Sequence, residues 1–394
     1  MTFRPITSRP MISRLRNKLL SAIAFTAFAA LAFTHFAEAQ SEVNEPLGVL
    51  PPMPVPEDNP MTEANIALGK HLFFDARLSG DGSIGCVDCH DPKLGWGDGA
   101  DLSRGYPGTM HWRNSQTVVN SAFLTKGWFW TSSADTLEAQ AHSAISGALA
   151  GNLKKILAEE RMKQIPEYVR LFEEVWGDAP TYDKALASIA AYERTVISDD
   201  SAFDRYMGGE EGALSEGALR GKGLFEGKAG CIACHEGPLM TDQAFYNIGL
   251  PTNPAFIENL QRQIAFRERM RSSGFEEKDF LHLDRDPGRY RKTKDIADIG
   301  KFRTPPLRYL AYTAPYMHNG VFFDLREVVE FYNKGGEAEP FGNKTDKIKP
   351  LGLSDAEIDD LVAFLDSLSG SEVLVERPKS PPYGVLDFPM ENQW

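Results

Sequence analysis

The residues with the most chemistry to offer are four cysteines, the only ones in a chain of 394 residues. They come as two pairs, Cys86-Val87-Asp88-Cys89-His90 and Cys231-Ile232-Ala233-Cys234-His235. Both read C-x-x-C-H, the pattern that attaches a c-type haem. Two thiols three residues apart lie on one helical turn and can add to the two vinyl groups of one haem. The His that follows lies beneath the ring and supplies an axial nitrogen to iron. A thioredoxin-like redox pair does not need a His directly after it, twice. A four-thiolate zinc site needs its pairs much closer than the 145 residues between Cys86 and Cys231. The cysteines therefore predict two covalent c-type haems, with His90 and His235 on the irons.

The sixth position on each iron separates electron transfer from reaction with a small molecule. Met, His and Tyr are the candidates. Apart from His35 near the N-terminus, the remaining histidines are His71, His111, His142, His282 and His318. Their spacing alone singles out none of them.

The elements that must position these groups read as helices. One starts near Thr62 and runs through Gly69-Lys70-His71-Leu72-Phe73. The same Gly-Lys-x-Leu-Phe pattern recurs at Gly221 to Phe225, again just before a Cys pair. This internal repeat predicts two related domains, placed at 61–205 and 206–372. Leu153 to Ser198 has apolar residues at i, i+3 and i+4, broken at Pro180. Leu325 to Tyr332 predicts another helix, stopped by Gly335-Gly336. Ser354-Asp355-Ala356-Glu357 is a capping box that opens a last one. Strand-like alternation is scarce. The fold class is mostly α, two cytochrome c-like helical domains joined by long loops.

The ends carry other signals. Basic residues from Arg4 to Lys18, an apolar run from Leu19 to Thr34 and Ala37-Glu38-Ala39 predict a cleaved export signal over 1–39. Residues 40–60 read as an extended leader and 373–394 as an irregular tail. The whole chain has 42 Lys and Arg against 55 Asp and Glu, a net charge of -13. Losing 1–39 makes it more acidic still. That balance argues against nucleic acid as a partner. The apolar run is too short to span a bilayer comfortably, so the expected product is periplasmic, with no stable membrane insertion.

With these motifs, the chain resembles the bacterial di-haem cytochrome c peroxidase family, and within it the MauG branch, from about Pro60 to about Leu368. The most specific stretches are Phe302-Arg303-Thr304-Pro305-Pro306-Leu307-Arg308, Ala314 to Phe322, and Phe331-Tyr332-Asn333-Lys334. The resemblance implies Tyr332 as distal ligand of the C-terminal haem, where Met-type members carry Met. Met317 and His318 are competing ligands nearby. Phenolate ligation favours oxidised iron and thioether ligation reduced iron. Phe129-Trp130 resembles the family's Phe-Trp, which implies Trp130 as a relay between the haems. Gln140 matches the distal-pocket Gln. Arg113-Asn114-Ser115-Gln116-Thr117 resembles R-N-T-P-T. The resemblance implies one Ca2+ held by Asn114, Thr313 and Pro315. Tyr106 stands where Met-type members have a distal His.

The departures are as informative. Trp130-Thr131-Ser132-Ser133-Ala134 replaces the family's W-D-G-R-A. The distal acid–base Glu aligns near Ala150, the distal Pro with Ala144, and the Trp used to oxidise a protein substrate with Ala229. Two functions follow. One is a peroxidase-type oxidoreductase acting on H2O2. Its electrons come from a small periplasmic c-type cytochrome or cupredoxin, or from a protein substrate. His142, or an acidic side chain from elsewhere, then replaces the missing Glu. The other is an electron-transfer cytochrome with two six-coordinate haems. Tyr332, Trp130 and Gln140 favour the first, and the lost Glu favours the second.

Overall fold

The computed structural model describes residues 44–106 and 108–384. The export signal expected over 1–39 and the end of the tail lie outside the described residues. In chain order the helices are α1 (Glu63–Phe73), α2 (Leu137–Ser146), α3 (Lys155–Lys163), α4 (Pro166–Trp176), α5 (Tyr182–Arg194), α6 (Ala202–Met207) and α7 (Glu216–Glu226). There follow α8 (Pro254–Ile257), α9 (Leu260–Ser272), α10 (Glu277–Phe280), α11 (Tyr290–Thr293), α12 (Leu325–Lys334) and α13 (Asp355–Asp366). Two short antiparallel ribbons and several 3₁₀ turns complete the described elements. β1 (Arg104–Gly105) pairs with β2 (Thr109–Met110), and β3 (Phe245–Tyr246) with β4 (Phe302–Arg303).

Local chemistry explains the helix ends. Thr62 caps α1 by accepting from the Asn65 N–H, and Ser354 with Glu357 forms the capping box of α13. Gly335 ends α12 at φ 84°, a left-handed conformation that costs glycine little. The periodic stretch 153–198 is three helices rather than two. The additional break falls at Gln164-Ile165, where Pro166 takes the first position of α4 and lacks the N–H to continue α3.

There are two main hydrophobic cores. The first is built around α1 and α5, with Leu68, Phe73, Ile189 and Tyr192. The second is built around α7, α12 and α13, with Phe225, Val329, Leu361 and Phe364. The repeated Gly-Lys-x-Leu-Phe now has a reason. A Cβ on Gly69 would lie 1.8 Å from the Ser188 carbonyl oxygen of α5, and one on Gly221 1.9 Å from the Asp360 carbonyl oxygen of α13. Each core is therefore a helix crossing at backbone contact. The obstacle is main chain and cannot rotate away. Gly221→Ala is expected to force α7 and α13 apart at a cost of about 1–3 kcal/mol or more. Thermal unfolding of the haem-loaded protein checks this; an unchanged midpoint would show that the crossing can relax.

The chain ends cross between the cores. Leu47, near the start, packs in the second core. Val373 and Val375, near the end, pack against the first. The Val373 carbonyl accepts from Trp96 Nε1 at 2.7 Å, and Arg377 Nη2 donates to the Phe74 carbonyl at 3.1 Å. Arg308 fastens the leader to the second core. It pairs with buried Asp204 at 2.7 Å and donates to the Gly48 carbonyl at 2.7 Å.

Candidate active site

Both Cys pairs sit on a 3₁₀ turn, Cys86–Asp88 and Cys231–Ala233. The turns share the same main hydrogen bonds. The His90 N–H donates to the Cys86 carbonyl at 3.0 Å, and that of His235 to the Cys231 carbonyl at 2.9 Å. His90 Nδ1 lies 3.1 Å from the Trp96 carbonyl oxygen, and His235 Nδ1 lies 3.1 Å from that of Met240. A carbonyl only accepts, so each Nδ1 carries the proton and each Nε2 keeps a free lone pair for a metal. The two accepting residues share a strained backbone, Trp96 at φ 61° and Met240 at φ 56°. Burial lowers the pKa of both rings, which keeps them neutral.

Each thiol is half-buried, with its open side towards a cavity. Burial pushes Cys89 and Cys234 up to about 11 and Cys231 to about 12. Zinc sites and reactive redox pairs need thiolates. These thiols stay neutral, which suits thioether attachment.

The cavity measures about 720 Å³ and is lined by Cys86, Cys89 and His90 and also by Cys231 and His235. A second, of about 190 Å³, opens on Cys231, Cys234, His235 and Tyr332. Trp130, Arg303, Met317 and Tyr332 line both. Arg269, Arg291, Lys292 and Arg303 bring positive charge to the large cavity. Buried Arg303 has no partner for Nη1, and Arg291 none for Nε. Burial pulls both guanidinium groups down to about 10. Buried unpaired cations are costly and require an anion. Haem propionates are such anions. Paired thiols, free imidazole nitrogens and orphaned guanidinium groups all fit two c-type haems.

The profile of the family described as di-haem cytochrome c peroxidase matches residues 63–212, and that of cytochrome c matches 218–369. Cytochrome-c peroxidase IdrP1 of Denitromonas iodatirespirans is 55% identical over 359 residues, covering 90% of this chain and 95% of that protein. The chain belongs to the di-haem cytochrome c peroxidase and MauG family. Methylamine utilization protein MauG of Methylorubrum extorquens is 36% identical over 84% of this chain and 85% of its own length. A crystal structure of a MauG-like protein associated with microbial copper homeostasis superposes with a TM-score of 0.70 at 30% identity. That match covers 84% of this chain and 97% of that one. Two cytochrome c-like helical domains, two covalent c-type haems and a haem peroxidase-type oxidoreductase are therefore established for this protein.

Within this family frame, each expected residue has a definite place. Trp130 is fixed at both ends. Its Nε1 donates to the Asn114 carbonyl at 3.0 Å, and its own carbonyl accepts from the Arg303 N–H at 2.8 Å. Tyr332 shares both cavities with His235, and burial beside Cys231 and Cys234 raises its phenol pKa. His318 stacks on Phe302, ring centroids 3.5 Å apart, and burial drives its pKa to about 3. Gln140, Ala144 and Ala150 all line the large cavity, as do Asn114, Thr313 and Pro315. Asn114 Nδ2 donates to the Ala100 carbonyl at 2.9 Å. The Tyr106 N–H donates to the Ala150 carbonyl at 2.9 Å.

His142 is the exception. It is exposed, its Nδ1 is 3.1 Å from the Tyr182 hydroxyl, and it lies outside the cavity lining. Its helix position turns it away from the wall that Gln140 occupies, and the structure does not bring it to the cavity where the replacement acid was expected. Two sets of residues were not singled out in the sequence. One is the basic set around Arg303. The other is Glu193, buried on α5 and facing the large cavity. Glu193 stands four residues after Ile189 on the apolar stripe of α5, and a carboxylate on a core stripe is a signal in its own right.

Proposed function

We propose that the protein is an exported periplasmic enzyme that reduces H2O2 at a haem held by His90. His235 and Tyr332 would hold the second haem, which would supply a store for the second oxidising equivalent. Electrons come from a small redox protein, a c-type cytochrome or cupredoxin, or from side chains of a protein substrate. The observation behind this reading is that one cavity takes in both C-x-x-C-H turns and Trp130. The export signal read over 1–39 supports the compartment. Among the described residues no helix is long and apolar enough to cross a membrane.

When bound, the haems supply iron for peroxide and a store for electrons. The chain's residues do the rest. His90 and His235 present Nε2 because their Nδ1 protons are committed to backbone carbonyls. Gln140 offers a neutral amide that orients peroxide by donating and accepting. Trp130 is the aromatic step between the two sites, and Tyr332 would hold the C-terminal iron together with His235. Asn114, Thr313 and Pro315 offer the neutral oxygens that Ca2+ takes.

Trp130→Phe tests the relay. Both haems should remain attached, because Trp130 supplies neither thiol nor imidazole to either C-x-x-C-H turn. The rate at which peroxide oxidises the C-terminal haem should fall at least about tenfold, which corresponds to ~1.4 kcal/mol of barrier. Stopped-flow absorbance on the reduced protein measures it, and equal rates in both proteins would remove Trp130 from the path. One observation favours the electron-transfer reading instead. Ala144 and Ala150 put no acid on the Gln140 wall. A purely low-spin ferric spectrum with no turnover of H2O2 would select that alternative.

A further inference from the structure

Peroxide cleavage needs a group that can give a proton, and the family's usual position for it is Ala150 here. Among the described residues two carboxylates face the large cavity, Asp98 and Glu193. Asp98 is engaged. Its Oδ2 accepts from Ser103 Oγ at 2.5 Å and its Oδ1 from the Ala100 N–H at 3.1 Å. Its charge acts on His90 and Cys89. Glu193 is different. It is 3% exposed, and Oε2 has no hydrogen-bond partner. Its charge reaches Cys86, the first attachment point of the N-terminal haem.

The surroundings tie Glu193 to the Gln140 wall. Arg194, next in the chain, pairs with Glu138 of α2 at 2.9 Å. Glu138 also accepts from Asn59 Nδ2 at 2.8 Å and stands two residues before Gln140. The ion pair therefore locks the helix bearing Glu193 to the helix bearing Gln140. Its neighbour Tyr192 meets Phe73 and Phe74 of α1 edge-on, and the charge of Glu193 acts on the Tyr192 phenol, whose pKa is raised first by burial.

We propose that Glu193 is the proton-donating catalytic residue of the N-terminal cavity, acting from α5 in place of a carboxylate at Ala150. The proposal rests on the peroxide reading above. The balance is H2O2 plus two electrons and two protons to two H2O. As the O–O bond breaks, Glu193 passes its proton to the departing oxygen, which leaves as water. The redox partner protein supplies both electrons. Solvent supplies the second proton and the one that restores Glu193. The protonation state agrees: burial raises the carboxyl to about 8, Arg194 opposing and Glu138 adding to the rise. At neutral pH the acid therefore holds its proton.

Glu193→Gln in the di-haem protein keeps the size and removes the transferable proton. Infrared difference spectra of the ferric wild type should show a protonated carboxyl band that titrates away near pH 8, absent from the variant. The rate with H2O2 should fall by roughly 10²–10⁴ in the variant, while carbon monoxide binds the reduced protein as in the wild type. The wild-type rate should drop above about pH 8, and the variant should lack that limb. If Glu193→Gln loses haem, Glu193→Asp carries the test, since it must keep the limb with a shifted midpoint. An unshifted limb in Glu193→Asp, or an unchanged rate and limb in Glu193→Gln, assigns the proton to another group and overturns the proposal. A wild type inert to H2O2 overturns the peroxide reading itself, and this role with it.

Discussion

Replacing Cys86 and Cys89 together by alanine is expected to abolish the folded protein rather than produce a one-haem form. The cavity of about 720 Å³ that these thiols line also takes in Cys231 and His235. At ~24 cal/mol per Å³ for an unfilled cavity, the whole space shared by both sites corresponds to on the order of 17 kcal/mol, of which one missing haem leaves only its share. Water entering the polar parts reduces that figure. It still compares with a total stability of about 5–15 kcal/mol for a whole domain. The buried guanidinium groups of Arg303 and Arg291 would also lose their anions. The Cys231→Ala/Cys234→Ala pair is expected to destabilise as well, since Cys231 and His235 line both the large cavity and the one of about 190 Å³. Intact mass and protease resistance of the exported protein measure both. The wild type should exceed its cleaved chain by two haems. A folded, protease-resistant product from Cys86→Ala/Cys89→Ala would show that the core stands without its cofactor.

Tyr332→Met is expected to produce the largest electronic change with the least structural one. Tyr332 follows buried Phe331 on α12, whose ends are fixed by the Asp324 cap and by Gly335. Met is similar in length and adaptable in packing, so both haems should stay attached. A phenolate stabilises oxidised iron and a thioether reduced iron. Axial ligands span about 0.8 V of haem potential, so a rise on the order of 100 mV or more is expected in the C-terminal haem. Any stable doubly oxidised state should vanish with it. Tyr332→His should convert the same haem to two imidazoles. Spectroelectrochemistry and low-spin ferric EPR read both variants. Spectra unchanged in both would exclude Tyr332 as ligand and leave Met317 as the next candidate, since it lines the same two cavities. His318 is the weaker competitor because its ring is committed to Phe302.

Much of this architecture was legible because it is local. C-x-x-C-H spacing reports its chemistry directly, since thiols and imidazole must sit on one turn to reach one ring. The capping box at Ser354 and the stop at Gly335 are likewise decided within four residues. The repeat of Gly-Lys-x-Leu-Phe announced two related units, though its cause, a main-chain contact at Gly69 and Gly221, is a property of paired helices.

Other features depended on which surfaces meet. His142 and Gln140 are two residues apart on one helix, and packing against α5 decides that one faces the cavity and the other solvent. Leu47 and Val373 each pack in the core far from their own end of the chain, because burial rewards any apolar partner within reach whatever its sequence distance. Glu193 looks like one acid among many until the fold removes its water and leaves Oε2 without a partner. The sequence by itself determined the cofactors, the family and the helices α1, α12 and α13. The tertiary structure alone decided which charges lost their solvent and faced the cavity, because desolvation is a property of the assembled surroundings and not of the residue.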